Sequence, residues 1–232
     1  MLIDKIKLHN PINLRSNFNK KIAVLFRGPI RPNAEAVAAN TSGLIEELRF
    51  AGYNVTPYLA TWSNYNRAEV MKLLSMGLYD NIIMQQLPTR EHIRRCVNRD
   101  SYGIYPIVNV YGMYYQSKTA IDLIASANNY NYIVHSRTDL HVRFGKHLHE
   151  WFDNDKYVSP INETPWICDW IGIATPEIMQ NAWNYIDYGQ LGRLIDNTDV
   201  PEYILSMIMK HHNVTVKTND VEEIWLDPNR NG

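Results

Sequence analysis

The sequence predicts an α/β fold: one domain with a central, mostly parallel sheet and helices on both of its faces. Three observations predict it. Strand-like and helix-like segments alternate as β-α-β-α-β from Lys21 to about Leu87. The first of them, Ile22 to Phe26, is continuously apolar and stops at Arg27-Gly28-Pro29, as a strand buried on both faces does on entering a loop. A longer fourth unit then repeats the theme, an apolar-periodic stretch feeding a second strongly apolar strand at Tyr132-Ile133-Val134.

The elements follow in order. After the first strand comes a helix for which Thr41 or Ser42 is the candidate cap; Leu44, Ile45, Leu48 and Phe50 supply its apolar positions, and Gly52 ends it. NVTPYLATW reads as the second strand, AEVMKLLSMG as a helix closed by Gly77, and DNIIMQQL as the third strand. Residues 108–127 carry apolar side chains at helical spacing, and after Asn128-Asn129 the chain enters the extended stretch NYIVHSRTDLHVRF. Beyond it, Gly172 and Ala174 read as small strand residues before a helix start at Thr175-Pro176-Glu177. Asp199-Val200-Pro201-Glu202 precedes an amphipathic helix whose apolar positions are Ile204, Leu205, Ile208 and Met209. In an open α/β sheet ligands bind at the carboxyl ends of the strands, so the loops beginning at Arg27, Thr61, Gln85 and Arg137 should share one edge.

Composition narrows the function. With 23 basic and 24 acidic residues the net charge is -1, so the overall positive field that draws proteins to nucleic acid or anionic lipid is missing. A small, neutral-to-acidic ligand at a local site suits the chain better. Its 232 residues are read as an N-terminal extension at 1–20 and one domain at 21–232. Cys96 and Cys168 lack the close spacing of a zinc cluster or redox pair and read as plain thiols. The first residues alternate charge and apolarity too finely for a signal peptide, and no stretch approaches the roughly 20 apolar residues of a membrane span, so no transmembrane segment and a cytoplasmic location are expected. No G-x-G-x-x-G or P-loop lysine pattern is present, which argues against a nicotinamide dehydrogenase or an ATPase.

Chemistry concentrates at residues 137–141. Asp139 and His141 are i and i+2, which in extended backbone puts both side chains on one face, where an oxygen and an imidazole nitrogen reach a single divalent ion. Read locally, the same residues are an Arg137–Asp139 ion pair or turn cap beside a solvated histidine. FRGPIR places two arginines, Arg27 and Arg31, around Gly28, which admits close approach of a ligand. Trp166 and Trp170 flank Asp169, and indole faces beside a carboxylate suit a sugar, though tryptophans also serve as core. Glu202 in the first turn of a helix is accounted for by the helix dipole, and His211 and His212 at the far end of that helix are too.

Taken together, FRGPIR after the first strand, TW after the second, YYQSKTAIDLI before YNYIVHSRTDLHV, then DWIGIATPEIM and PEYILSMIM, resemble bacterial polysaccharide and lipopolysaccharide glycosyltransferases from about residue 20 to 226. The resemblance implies a Rossmann-like domain of the glycosyltransferase A type, with a nucleotide-binding half at about 21–143 and an acceptor half at about 144–232. It makes Asp139 the aspartate of a D-x-D or R-x-D element and Arg137 its preceding arginine; His141 stands where a second acid is usual. The implied cofactor is a divalent metal, Mn²⁺ or Mg²⁺, on Asp139 and His141 with His212 as a possible third ligand. Without an ion, Arg27, Arg31, Arg137 and Lys118 are the candidates to balance a diphosphate. The implied substrate contacts are Arg27, Gly28, Arg31, Thr61, Trp62, Gln116, Lys118, Arg137 and Trp170. Asp169 and Glu202 are the candidate catalytic carboxylates, and Asp169, between two indoles, is preferred as base.

The expected activity is transfer of a sugar from a nucleotide sugar to a saccharide hydroxyl. Two other readings stay open: a catalytically silent nucleotide- or glycan-binding relative, and a metal-dependent hydrolase built on Asp139, Asp169 and the C-terminal histidines.

Overall fold

The computed structural model describes residues 20–63, 67–97, 107–127, 129–161, 166–185, 187–198 and 200–228. The expected N-terminal extension apart from Lys20, as well as Asn128 and Asp199, lies outside the described residues. The first unit is β1 (Lys21–Arg27), α1 (Ala34–Phe50), β2 (Asn54–Trp62), α2 (Arg67–Ser75) and β3 (Asn81–Gln85). Next come α3 (Arg90–Cys96), α4 (Ile107–Ser126), β4 (Tyr132–Arg137), β5 (Leu140–Arg143), a 3-10 segment (Gly145–Trp151), β6 (Tyr157–Pro160) and β7 (Ile171–Ala174). Helices α5 (Pro176–Trp183), α6 (Tyr188–Asn197) and α7 (Pro201–His211) precede β8 (Val216–Asn219) and β9 (Glu223–Leu226).

The main sheet has the order β3-β2-β1-β4-β7-β6-β8. Strands β3, β2, β1 and β4 are mutually parallel, β7 runs antiparallel to β4 and β6, and β6 and β8 are parallel. This is the α/β architecture expected from the sequence. Alternation along β1 shows how both faces are covered. Ile22, Val24 and Phe26 pack with Val37, Leu44 and Leu48 of α1, whereas Ala23 and Leu25 join Tyr111, Tyr114 and Ile121 of α4 on the other face. Arg27 lies in register with Ala60 of β2 and Arg137 of β4, and Trp62 with Gln85, so the carboxyl ends are nearly level.

Two local expectations are corrected. The first helix starts at Ala34, not near Thr41 or Ser42; its cap is Asn33, whose side chain accepts from the Ala36 N–H at 2.9 Å. Thr41 sits inside the helix, where its Oγ1 donates back to the Val37 carbonyl at 2.8 Å and lies 2.6 Å from the Tyr79 hydroxyl. The second correction concerns the stretch after Val134. Strand β4 ends at Arg137, Thr138 and Asp139 form a turn, and β5 leaves to pair with β9. The turn is tied to the loop after β1, since the Thr138 N–H donates to the Arg27 carbonyl at 3.1 Å and Oγ1 to the Pro29 carbonyl at 2.9 Å. Asp139 and His141 therefore do not share one face of a continuous strand.

Candidate functional site

A cavity of about 410 Å³ opens at the carboxyl edge of the parallel strands. Arg27, Gly28 and Arg31 reach it from the end of β1 and its loop, Trp62 from β2, and Gln116 from α4. The turn after β4 brings Arg137 and Asp139, the approach to β7 brings Asp169 and Trp170, and the first turn of α7 brings Glu202. Gly28 has φ 137, and a Cβ there would stand 2.6 Å from Thr138 Oγ1, so the close seam between the two loops requires glycine.

Four of the expected substrate contacts and metal ligands do not line this cavity, and neither does Trp166, which packs edge-on against Tyr203. Thr61 is fully buried beside it, on β2. Lys118 is turned to Asp122 one helical turn on, at 2.7 Å. His141 stacks on Trp225 of β9, with centroids 4.7 Å apart, and its Nε2 lies 3.5 Å from Glu223. His212 ends α7, where its ring meets His211 edge-on at 5.0 Å.

Beneath the cavity is a buried polar network centred on Arg27. Its Nη2 donates to the Asp169 carboxylate at 3.1 Å and to the Asp169 backbone carbonyl at 3.0 Å, and its Nε donates to His135 Nε2 at 3.0 Å. Both charged partners are almost wholly buried, with side-chain exposures of 5% and 3%. Because a guanidinium only donates, His135 Nε2 must accept, which assigns the imidazole proton to Nδ1. Burial, then the charges of Arg27 and Arg137, push the His135 pKa well below its usual value, so the ring is neutral. Trp183 closes the floor, 4.4 Å from the His135 ring and 5.7 Å from the Arg27 guanidinium.

The sequence reading missed His135, although a histidine within the apolar run YIVHS already signals a polar group that needs a partner. It also missed the apolar end of the cavity, formed by Leu87, Val108 and Met113. A Cβ on Gly112 would lie 3.2 Å from both Trp62 and Leu87, so glycine lets α4 close against this wall. No local periodicity marks such a position.

Glu202 is a further carboxyl on the cavity wall. Burial first, and the neighbouring Asp169 second, raise its pKa above the usual carboxyl value. Gln116 is 1% exposed, lines the cavity, and its Nε2 has no hydrogen-bond partner. Burial pushes the Cys168 thiol up to about 12, so it is no thiolate nucleophile near neutral pH.

The expected metal ligands do not fit an ion. Arg137 grips Asp139 with two hydrogen bonds of 2.7 Å, Nε to one carboxylate oxygen and Nη2 to the other. His141 faces Trp225 and Glu223, and His212 is not on the cavity wall. Among the described residues no three of His, Cys, Asp and Glu come together as a metal-holding group.

No family model matches the chain, and no curated protein matches it by sequence. Solved structures that it matches include the glycosyltransferase GlyE of Streptococcus pneumoniae TIGR4, at 12% identity and a TM-score of 0.48. That alignment covers 86% of this chain and 45% of the pneumococcal one, so the chain spans less than half the length of that relative. Mouse xyloside xylosyltransferase 1 in its apo form matches at 12% identity and a TM-score of 0.45, covering 87% of this chain and 85% of the mouse one. Both structural neighbours are glycosyltransferases. Likeness at this level concerns the course of the backbone, and the chemistry of the site rests on this chain's own side chains. Among the described residues no helix is long and apolar enough to cross a membrane.

Proposed function

We propose that the chain transfers a glycosyl group from a nucleotide-sugar donor to a saccharide hydroxyl. The observation that carries this reading is a single cavity combining three arginines, two indoles and a carboxyl pair: Arg27, Arg31 and Arg137; Trp62 and Trp170; Asp169 and Glu202. Guanidinium groups suit a diphosphate, and indole faces suit the C–H face of a sugar or the ring of a base.

In a direct displacement the acceptor oxygen bonds to the anomeric carbon while the bond from that carbon to the diphosphate oxygen breaks. The electron pair leaves on the diphosphate, and the acceptor proton passes to a carboxylate. Glu202 is the better base of the two candidates. Asp169 is held by Arg27 at the buried floor, whereas the raised proton affinity of Glu202 brings it nearer to the working range of a general base. Asp169 then acts on the proton through Glu202, as the charge that helps to raise its pKa.

The test is a panel of nucleotide sugars, read first by thermal shift and then by release of nucleoside diphosphate in the presence of saccharide acceptors. One donor class should stabilise the protein and be turned over. Glu202→Gln should keep donor binding and lose turnover by roughly a hundredfold or more. Absence of any nucleotide-sugar binding refutes the proposal. Binding without turnover makes the chain a silent relative, and cleavage of simple phosphate esters without a donor makes it a hydrolase.

A further inference from the structure

The motif aspartate is already paired with a cation, the Arg137 guanidinium. A divalent ion needs outward-facing oxygen lone pairs in a near-regular shell, but both Asp139 oxygens accept from Arg137 at 2.7 Å. The guanidinium that holds them is itself a cation and repels a second one at that distance. The next residue of the motif, His141, is drawn into the small β5–β9 sheet, stacked on Trp225.

Donors suited to an anion are present instead. Arg31 is exposed at the cavity wall and has no side-chain partner among the described residues. Gln116 offers a buried Nε2 without a partner, an arrangement that costs stability unless a ligand completes it. Arg137, oriented by Asp139, lines the same cavity.

Building on the proposed function, we infer that the donor's diphosphate is held by Arg31, Arg137 and the Gln116 amide without a divalent cation, and that Asp139 is the positioning residue of Arg137 and not a metal ligand. The residue pattern that elsewhere would gather an ion here aims a guanidinium. Arg27 does not share the task, because Asp169 and His135 hold its Nη2 and Nε at the buried floor. Lys118 does not either, being outside the cavity and paired with Asp122.

The experiment titrates inorganic pyrophosphate and a set of nucleoside diphosphates into the full chain, in EDTA and in Mn²⁺, following intrinsic tryptophan fluorescence, to which Trp62 and Trp170 on the cavity wall contribute, with circular dichroism as the control for folding. Dissociation constants in EDTA and Mn²⁺ should agree within about threefold. Arg31→Ala should weaken binding about tenfold or more in EDTA, and Gln116→Leu should weaken it as well. Asp139→Asn keeps the shape and one acceptor for Arg137, so it should weaken binding only a few-fold, while Asp139→Ala should weaken it further. Electron paramagnetic resonance supplies a second readout: protein added to Mn²⁺ and nucleoside diphosphate should remove no more free-ion signal than the nucleotide does. Binding that needs Mn²⁺ and is lost in Asp139→Asn overturns the inference and leaves the glycosyltransferase reading standing. Wild-type binding by Arg31→Ala and Gln116→Leu in EDTA overturns it too. No diphosphate binding in either condition overturns both.

Discussion

Replacing Arg27 by Met removes the guanidinium that pairs with the Asp169 carboxylate and leaves three acceptors without that donor: the carboxylate, the Asp169 carbonyl and His135 Nε2. The pair is buried, so solvent screens it little, and breaking such a pair by removing one partner costs about 3–5 kcal/mol. The two neutral acceptors lose a donor as well, which puts the expected total at the upper end of that range. The reciprocal change, Asp169→Leu, should cost at least as much, because a lone buried carboxyl can take up a proton whereas a lone guanidinium cannot give one up. The double variant Arg27→Met/Asp169→Leu removes both charges and should be more stable than either single variant by about 2 kcal/mol or more. Urea unfolding at pH 7, with m-values compared to verify a common unfolded state, measures all four corners of the cycle. A cost below about 1 kcal/mol for Arg27→Met, or strict additivity in the double variant, would refute the buried-pair account.

Two pH dependences follow from the same floor. Glu202 has a pKa raised above 4.5 by burial and Asp169, so its contribution to stability is fully present below 4.5 and is lost as pH rises through the folded value; Glu202→Gln should be more stable than the wild type at pH 8 and lose that advantage at pH 4. A difference constant across that range in urea unfolding would contradict the assignment. His135 has the opposite sign: its folded pKa lies well below 6.5, so its contribution is present above 6.5 and is withdrawn as pH falls, by up to about 1.4 kcal/mol per pH unit. His135→Gln retains an acceptor for Arg27 and should flatten the slope below 6.5, and an unchanged acid slope would mean that His135 is not the buried neutral group.

How much of this was legible in the sequence depended on how local its causes were. Strands β1 and β4 could be read because burial on both faces leaves an unbroken apolar run. The start of α1 could not, because Asn40, Thr41, Ser42 and Gly43 look like a cap and are absorbed by distant partners: Asn40 donates to Asp227 at 3.1 Å, and Thr41 meets Tyr79. The turn at Thr138 and Asp139 depends on Pro29, Arg27 and Asp227, all remote in sequence, the last through its N–H to the Asp139 carbonyl at 2.9 Å. Strands β5, β6, β8 and β9 are four residues each, too short for a period to register. For the site, residue types and their shared edge were legible, since strand ends converge in this topology. The Arg137–Asp139 pair, two positions apart, was one of the local readings, but the carboxylate that Arg27 takes was not legible, because it is decided by side chains meeting across more than a hundred positions, as Arg27 meets His135 and Asp169.

The cavity contains two arginine–aspartate pairs of the same composition, and burial gives them different work. Arg27–Asp169 is closed to solvent, and its guanidinium is also bound by His135 and a carbonyl, so exchanging Asp169 for a ligand would strand a buried carboxylate. Arg137–Asp139 has side-chain exposures of 26% and 13%, so water partly screens the pair. In the inferred binding mode a phosphate oxygen therefore meets Arg137 at the solvent side while Asp139 still orients it, and the same phosphate cannot draw Arg27 from its place. The inner pair fixes the floor of the site, and the outer pair keeps an arginine oriented and charge-balanced until an anion arrives. On the proposed reading, a chain with almost no net charge gathers its anion-binding arginines at one edge of its sheet.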